Sequence, residues 1–347
     1  MSAEIEELLR ETVQGLVAYK ETPRGGIDLS TNTNPLVNPA FERALKRIDA
    51  GELSSYPTQK DLREAIGRTH GVTGENVTVG NGSDGVIDQI FKTFINPRER
   101  AVIPTPTFEM YGLIGRVNLA QMVEVPLTSD FQLDVDRVLG GDGKITIVCR
   151  PNNPTGNVFP REDVTELLDR SRGLVVIDEA YADFMGQEDF VSEVGDYDNL
   201  IILRTFSKAH GLAGIRVGYA LGSEEIIADL DRVRLPYNVN VISVSIALEA
   251  LRDAAFVDRS RRLVLAERGR MKEEMERLGV LVYPSDTNFL LAKLPINAAE
   301  FCKALLGRGI RVKDCSGWPM LRNCVRITIG TPPVNERFLA YMREILK

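Results

Sequence analysis

Histidine is scarce in this chain, with His70 and His210 the only two among 347 residues. Any Ser-His-Asp or Cys-His mechanism has to draw on one of them, and both are read as turn or surface residues. Cysteine is nearly as rare. Cys149, Cys302, Cys315 and Cys324 are scattered without a C-x-x-C, which with two histidines does not fit a zinc site and suits a reducing, cytoplasmic compartment. Positive charge is also short: 42 Lys and Arg face 49 Asp and Glu, a net charge of −7. Nucleic acid needs a basic face, so it is not an expected partner. No apolar run approaches the roughly 20 residues of a membrane span. The first residues lack the basic and apolar regions of a signal peptide. Instead Ile5, Leu8, Leu9, Thr12 and Leu16 recur at helical spacing.

What is present is an ordinary globular composition, 44% hydrophobic and 26% charged, with length for two domains. Between about residues 60 and 250, helical and strand patterns alternate. "KDLREAIGRTH", "DGVIDQIFKTF", "FEMYGLIGRVNL" and "PREDVTELLDRS" read as helices; "NVTVG", "RAVIPTP", "ITIVCR", "LVVID" and "LIILRTF" read as strands. The strands are apolar without alternation, the mark of strands buried on both faces of a mostly parallel sheet. The C-terminal third opens on the charged helix "RRLVLAERGRMKEEMERLG" and continues in short strands separated by helices. The expected architecture is α/β: a three-layer, mostly parallel large domain over 30–250, a smaller α/β domain over 251–347, and an arm over 1–29 that joins the smaller domain or reaches toward a partner.

"VTVGNGSDGVIDQIF" places Gly80, Gly82 and Gly85 between a strand and a helix. Such a turn lets a phosphate approach the N–H groups of a helix N-terminus. Dinucleotide binding lacks its ribose-binding acid, because Glu99 precedes the next strand instead of ending it. Ligand groups in an open parallel sheet gather at the carboxyl ends of its strands. Here those ends carry Pro151-Asn152-Asn153-Pro154-Thr155-Gly156, then Asp178 and Tyr181, then Ser207 and Lys208, with Arg216 eight residues on. Pyridoxal 5′-phosphate uses all of these: a lysine for its aldehyde, a carboxylate for its ring nitrogen, an amide and a phenol for its phenolate oxygen, and hydroxyl, N–H and Arg for its phosphate.

"RPNNPTG", "VIDEAYADF", "LRTFSKAHGLAGIRVGYALG" and "VRITIGT", in this order and spacing, resemble the fold-type I pyridoxal-phosphate aminotransferases of the histidinol-phosphate aminotransferase family. The resemblance runs from about Tyr19 to the C-terminus. It implies that Lys208 binds the cofactor aldehyde and moves the proton, and that Asp178 holds the ring nitrogen. It assigns Tyr181 and Asn153 to the phenolate oxygen, and Ser83, Asp84, Ser207 and Arg216 to the phosphate. Of Phe108 and Tyr111, one stacks on the ring, with Phe108 favoured by position. Tyr56 in "SSYPTQ" matches a tyrosine that reaches the phosphate from the neighbouring subunit, so a homodimer with shared sites is implied. Arg326 grips the anionic end of the substrate, with Tyr19 and Asn34 beside it; Lys313 stands where the family usually carries arginine.

The reaction so implied is transamination between a small-molecule amino donor and a 2-oxo acid. Histidinol phosphate with 2-oxoglutarate leads. An aromatic or broad-specificity aminotransferase, or a threonine-phosphate decarboxylase whose start resembles "DLSTNTNPL", stays open. From another class, a non-catalytic cofactor-binding regulator is disfavoured by the intact Lys208 and the acidic charge.

Overall fold

The computed structural model describes residues 7–18 and 25–347. Its largest sheet has seven strands in the spatial order Val77–Asn81, Val217–Gly222, Leu200–Thr205, Leu174–Asp178, Ile145–Cys149, Arg100–Thr105, Gln121–Pro126. Val217–Gly222 alone runs antiparallel to its neighbours; the other pairings are parallel. Every residue of Ile145–Cys149 and Leu200–Thr205 is buried, because helices cover both faces. On one face Val77, Val148, Ile177 and Ile202 pack with Leu62 and Ile66 of helix Lys60–His70 and with Val164 and Leu167 of helix Arg161–Arg170. On the other, Ile103, Ile147, Val176 and Ile201 meet Val86, Ile90 and Phe91 of helix Gly82–Phe94 and Ile226 and Leu230 of helix Glu224–Asp231. Neighbours in sequence point to opposite faces of a strand, so an unbroken apolar run is what two covered faces require. This is the three-layer α/β fold expected.

Two strands escape the sequence patterns. Gln121–Pro126 lies at the sheet edge and is largely exposed, so its polar residues hide it. Val217–Gly222 carries Gly218 and Gly222 and follows a glycine-rich turn. Residues 7–18 form turns in place of the helical spacing read there. The few hydrogen bonds among them, such as Val13 N to Arg10 O at 2.8 Å, do not propagate.

A second sheet is antiparallel, in the order Lys313–Asp314, Cys324–Thr328, Phe289–Lys293, Leu281–Val282. Helices Ala254–Arg277, Ala298–Leu306 and Pro332–Ile345 cover it through Val264, Met271, Met275, Phe301, Leu305, Phe338 and Met342. The charged helix is therefore solvated on one side only. Ile27–Asp28 pairs in parallel with Ile310–Arg311, and Thr328 N donates to Leu29 O at 2.8 Å. The chain entering from the N-terminus thus joins the C-terminal elements, then runs through residues 30–38 to the carboxyl edge of the large sheet.

Candidate active site

At that carboxyl edge lies a cavity of about 220 Å3. Ser83, Asp84, Phe108, Tyr111, Asn153, Asp178, Tyr181, Ser207, Lys208 and Arg216 all line it, so residues separated by more than a hundred positions meet as the parallel topology requires. Strand Val77–Asn81 ends at the turn into helix Gly82–Phe94. The first N–H groups of a helix have no intrahelical acceptor, and Gly82 N is taken by Arg216 O at 2.8 Å. The amides of Ser83 and Asp84 remain for an anion, favoured by the helix dipole. Gly218 makes the turn fit, since a Cβ there would collide with the Ser83 amide. Gly82 has φ +74°, and a Cβ on it would strike the Arg216 guanidinium. Arg216 itself is left-handed, φ 53°, an uncommon conformation for a residue with a Cβ. That turn folds its side chain back over the helix end, where Nη2 donates to Asp84 Oδ2 at 3.1 Å.

Asp178 ends the strand Leu174–Asp178 and is buried. Its Oδ2 accepts from Tyr111 Oη at 2.6 Å and its Oδ1 from Ala180 N at 3.0 Å. Burial raises its pKa, against those two hydrogen bonds. A buried carboxylate in this state gains most from a cationic partner. Tyr111 Oη is thereby committed to Asp178, and Phe108, its ring centroid 5.4 Å from that of Tyr111 and edge-on to it, lines the cavity beside it. Lys208 follows the strand Leu200–Thr205. Burial, then the positive charge of Arg326, lowers its pKa to about 8. Its Nζ lies 5.5 Å from the Tyr181 ring centroid and 3.4 Å from Thr31 O. Tyr181 Oη accepts from Asn32 Nδ2 at 3.0 Å.

A lysine of lowered pKa, a buried carboxylate and a helix N-terminus with an arginine on it are what pyridoxal 5′-phosphate binds: aldehyde, ring nitrogen and phosphate. The donor set fits that cofactor. Lys208, Asp178 and the Ser83 and Asp84 amides with Ser207 and Arg216 are the groups that would hold it.

Arg326 comes from strand Cys324–Thr328 of the second sheet. Its guanidinium donates to Asn153 Oδ1 and, at 2.7 Å, to Ser30 O, while its Nε is buried with no partner among the described residues. An unpaired buried donor is costly and marks where an anion adds a bond. Other expected residues lie elsewhere. Asn34, expected on the substrate, spends its amide nitrogen on the carbonyls of Lys208 and Ala209. Lys313 Nζ is 3.7 Å from Glu109 Oε1 and 5.0 Å from the Trp318 ring centroid. Tyr56 is 79% exposed and stacks on Tyr237, centroids 4.3 Å apart. Tyr19 lies outside the described residues. His70 is not a surface base, because it bonds Tyr219 Oη at 2.8 Å and burial lowers its pKa to about 4. His210 is likewise enclosed, packed 4.8 Å from Phe206. Thr31, Thr33 and Thr205, which also line the cavity, were not singled out in the sequence; the polar run "STNTN" was the available signal for the first two.

The model of the aminotransferase class I and II family matches residues 24–342. The chain belongs to that family. It is 37% identical to a histidinol-phosphate aminotransferase of Thermoanaerobacter pseudethanolicus, with 99% of each chain covered, which places it with the histidinol-phosphate aminotransferases within the family. The crystal structure of the histidinol-phosphate aminotransferase from Clostridium acetobutylicum superposes with a TM-score of 0.86 at 26% identity, over 92% of this chain and 99% of that one. The fold is also that of the Sinorhizobium meliloti histidinol-phosphate aminotransferase solved with pyridoxal 5′-phosphate, TM-score 0.87 at 23% identity over 97% of each chain.

Proposed function

We propose that this aminotransferase carries the amino group of histidinol phosphate to 2-oxoglutarate, yielding imidazole acetol phosphate and glutamate, with pyridoxal 5′-phosphate as cofactor. The observation that carries the chemistry is that Lys208, Asp178 and Ser83 at the helix N-terminus line one cavity. What supports the donor is the activity of its full-length relatives. When bound, the cofactor supplies an electron sink for the substrate's α-carbon and a carbon that takes up the amino group.

The chain's own residues do the rest. The Ser83 and Asp84 amides, Ser207 and Arg216 would hold the phosphate. Asp178, oriented by Tyr111, would keep a proton on the ring nitrogen, and Phe108 would cover the ring. Lys208, with a pKa near 8, has a neutral fraction at physiological pH. Its amine would take the proton from the substrate α-carbon, the proton-transfer step such a positioned base accelerates. Asn153 and Tyr181, which line the same cavity, would meet the phenolate oxygen. Arg326 pairs with the anionic group of donor and acceptor in turn, bidentate as guanidinium allows.

A homodimer with shared sites belongs to the same proposal, Tyr56 serving the neighbouring copy. Supporting it, Leu53, Tyr56, Leu235 and Tyr237 are all more than half exposed, an apolar surface away from the chain's own cavity. Among the described residues no helix is long and apolar enough to cross a membrane, and a cytoplasmic enzyme is proposed.

The test is the absorbance of the cofactor-loaded protein as single amines are added. Histidinol phosphate and glutamate should convert it to the aminated cofactor, phenylalanine poorly. Conversion chiefly by phenylalanine would make it an aromatic aminotransferase. Carbon dioxide released from O-phosphothreonine without conversion would make it a decarboxylase.

A further inference from the structure

The turn after Lys208 is held by two asparagines of the segment 30–38 that do not line the cavity themselves. Asn34 Nδ2 donates to the carbonyls of Lys208 and Ala209, each at 2.9 Å, and lies 2.5 Å from the buried Ser260 Oγ. Its Oδ1 accepts from Leu36 N at 2.9 Å. Four residues on, Asn38 Nδ2 donates to His210 O at 2.7 Å and its Oδ1 accepts from Ala40 N at 2.8 Å. Two amide side chains of one segment therefore hold three consecutive carbonyls, 208–210. The same segment meets the far end of the lysine, whose Nζ donates to Thr31 O at 3.4 Å. Contact between segment and turn is close: Gly211 has φ +67°, and a Cβ there would stand 3.2 Å from Leu36 O and 3.3 Å from Asn34 Cβ.

The Lys208 carbonyl also accepts from Gly211 N at 3.0 Å, and this bond together with the one from Asn34 fixes the peptide plane between Lys208 and Ala209. That plane sets ψ of Lys208 and hence the path of its side chain into the cavity. Neither asparagine lines the cavity, so neither touches the reacting atoms. We propose that Asn34, backed by Asn38, is a positioning residue for Lys208, holding the lysine's own carbonyl so that Nζ stands in line with the substrate α-carbon. The proposal rests on the transaminase reading of the cavity.

The charged groups around Nζ are Arg326, Asp84, Arg216 and Asp178, with the Tyr181 ring beside it. Asn34→Ala adds no charge to this set, so a change in the lysine's titration reports displacement. In the holoenzyme without substrate, the pH midpoint of the cofactor's visible absorbance should shift by about half a unit or more. Turnover should fall roughly 10²-fold in kcat, the loss expected for a misplacement of about 1 Å, with KM for the amino donor nearly unchanged. Asn38→Ala releases a carbonyl two residues further on and should move the midpoint in the same direction by less. A wild-type midpoint in Asn34→Ala, or a raised KM at unchanged kcat, overturns the proposal and makes Asn34 a packing or substrate residue. Should Asn34→Ala not fold, Asn34→Ser, which keeps one donor, is read by the same two outcomes. Wild-type protein that shows no cofactor band overturns the transaminase reading and this proposal with it. A normal wild-type band and turnover beside an unmoved Asn34→Ala removes the positioning role alone.

Discussion

Lys208, Asp178 and the Ser83 amide follow the ends of three strands of one sheet, Leu200–Thr205, Leu174–Asp178 and Val77–Asn81. Arg326 comes from another sheet, lies outside the cavity's lining and meets its wall through Asn153. The cofactor side is thus fixed by the register of a single seven-stranded ladder, buried on both faces. The substrate side depends on how two sheets and the crossing segment 30–38 meet. The two sides thus stand on different sheets and share one seam, the segment 30–38, whose Thr31 O and Asn34 also hold Lys208 and its carbonyl. Substitution of Arg326 is therefore expected to act first on which anion is gripped, and substitution in the large sheet on the lysine and its carboxylate.

Substitutions that break one side and spare the other sharpen this contrast. Lys208→Ala should cost most. Removing the proton-transferring amine alone is worth roughly 10²–10⁴-fold, and loss of the covalent link adds to it; turnover measured at saturating substrate checks this. Asp178→Asn comes next. Without its charge the ring nitrogen loses its proton partner, and kcat should fall by about 10²–10³-fold, the scale for removing a preorganised electrostatic partner, while KM changes little. Arg326→Lys should act on the other term, raising KM for donor and acceptor by about tenfold or more, since an ammonium lacks the guanidinium fork. A fall in kcat alone for Arg326→Lys would contradict the division of labour. The smallest effect is in pH. Lys208 titrates near 8 when folded and has an ordinary value of 10.5. Between these the unfolded chain holds the extra proton, so the stability of the cofactor-free protein should rise with pH across that window. Comparing its denaturant midpoint with that of Lys208→Met, which should lack this rise, isolates the contribution.

The same contrast governs what could be read from the sequence. The cofactor side was legible because short motifs, "VIDEAY" and "FSK", end apolar runs whose burial forces them into neighbouring strands. Both Asp178 and Lys208 fell where expected relative to those strands. The substrate side was less so. Asn34 belongs to a polar stretch with no periodicity, and its partners are 174 and 175 residues away in the chain, a contact no local pattern encodes. Tyr111 shows the limit inside a motif: "FEMY" supplies two rings, and only the bond from Tyr111 Oη to Asp178 says which one holds the carboxylate. Val217–Gly222 escapes a local pattern for a related reason. Gly218 and Gly222 interrupt its apolar run, yet Gly218 is what lets the strand approach the Ser83 amide.

The central claim is that Lys208 is the residue carrying the cofactor. The most direct measurement is borohydride reduction of the cofactor-loaded protein, followed by digestion and mass spectrometry of the peptides. The predicted result is a pyridoxyl adduct confined to the peptide containing Lys208. An adduct on another lysine, or none on protein that has bound the cofactor, would contradict it.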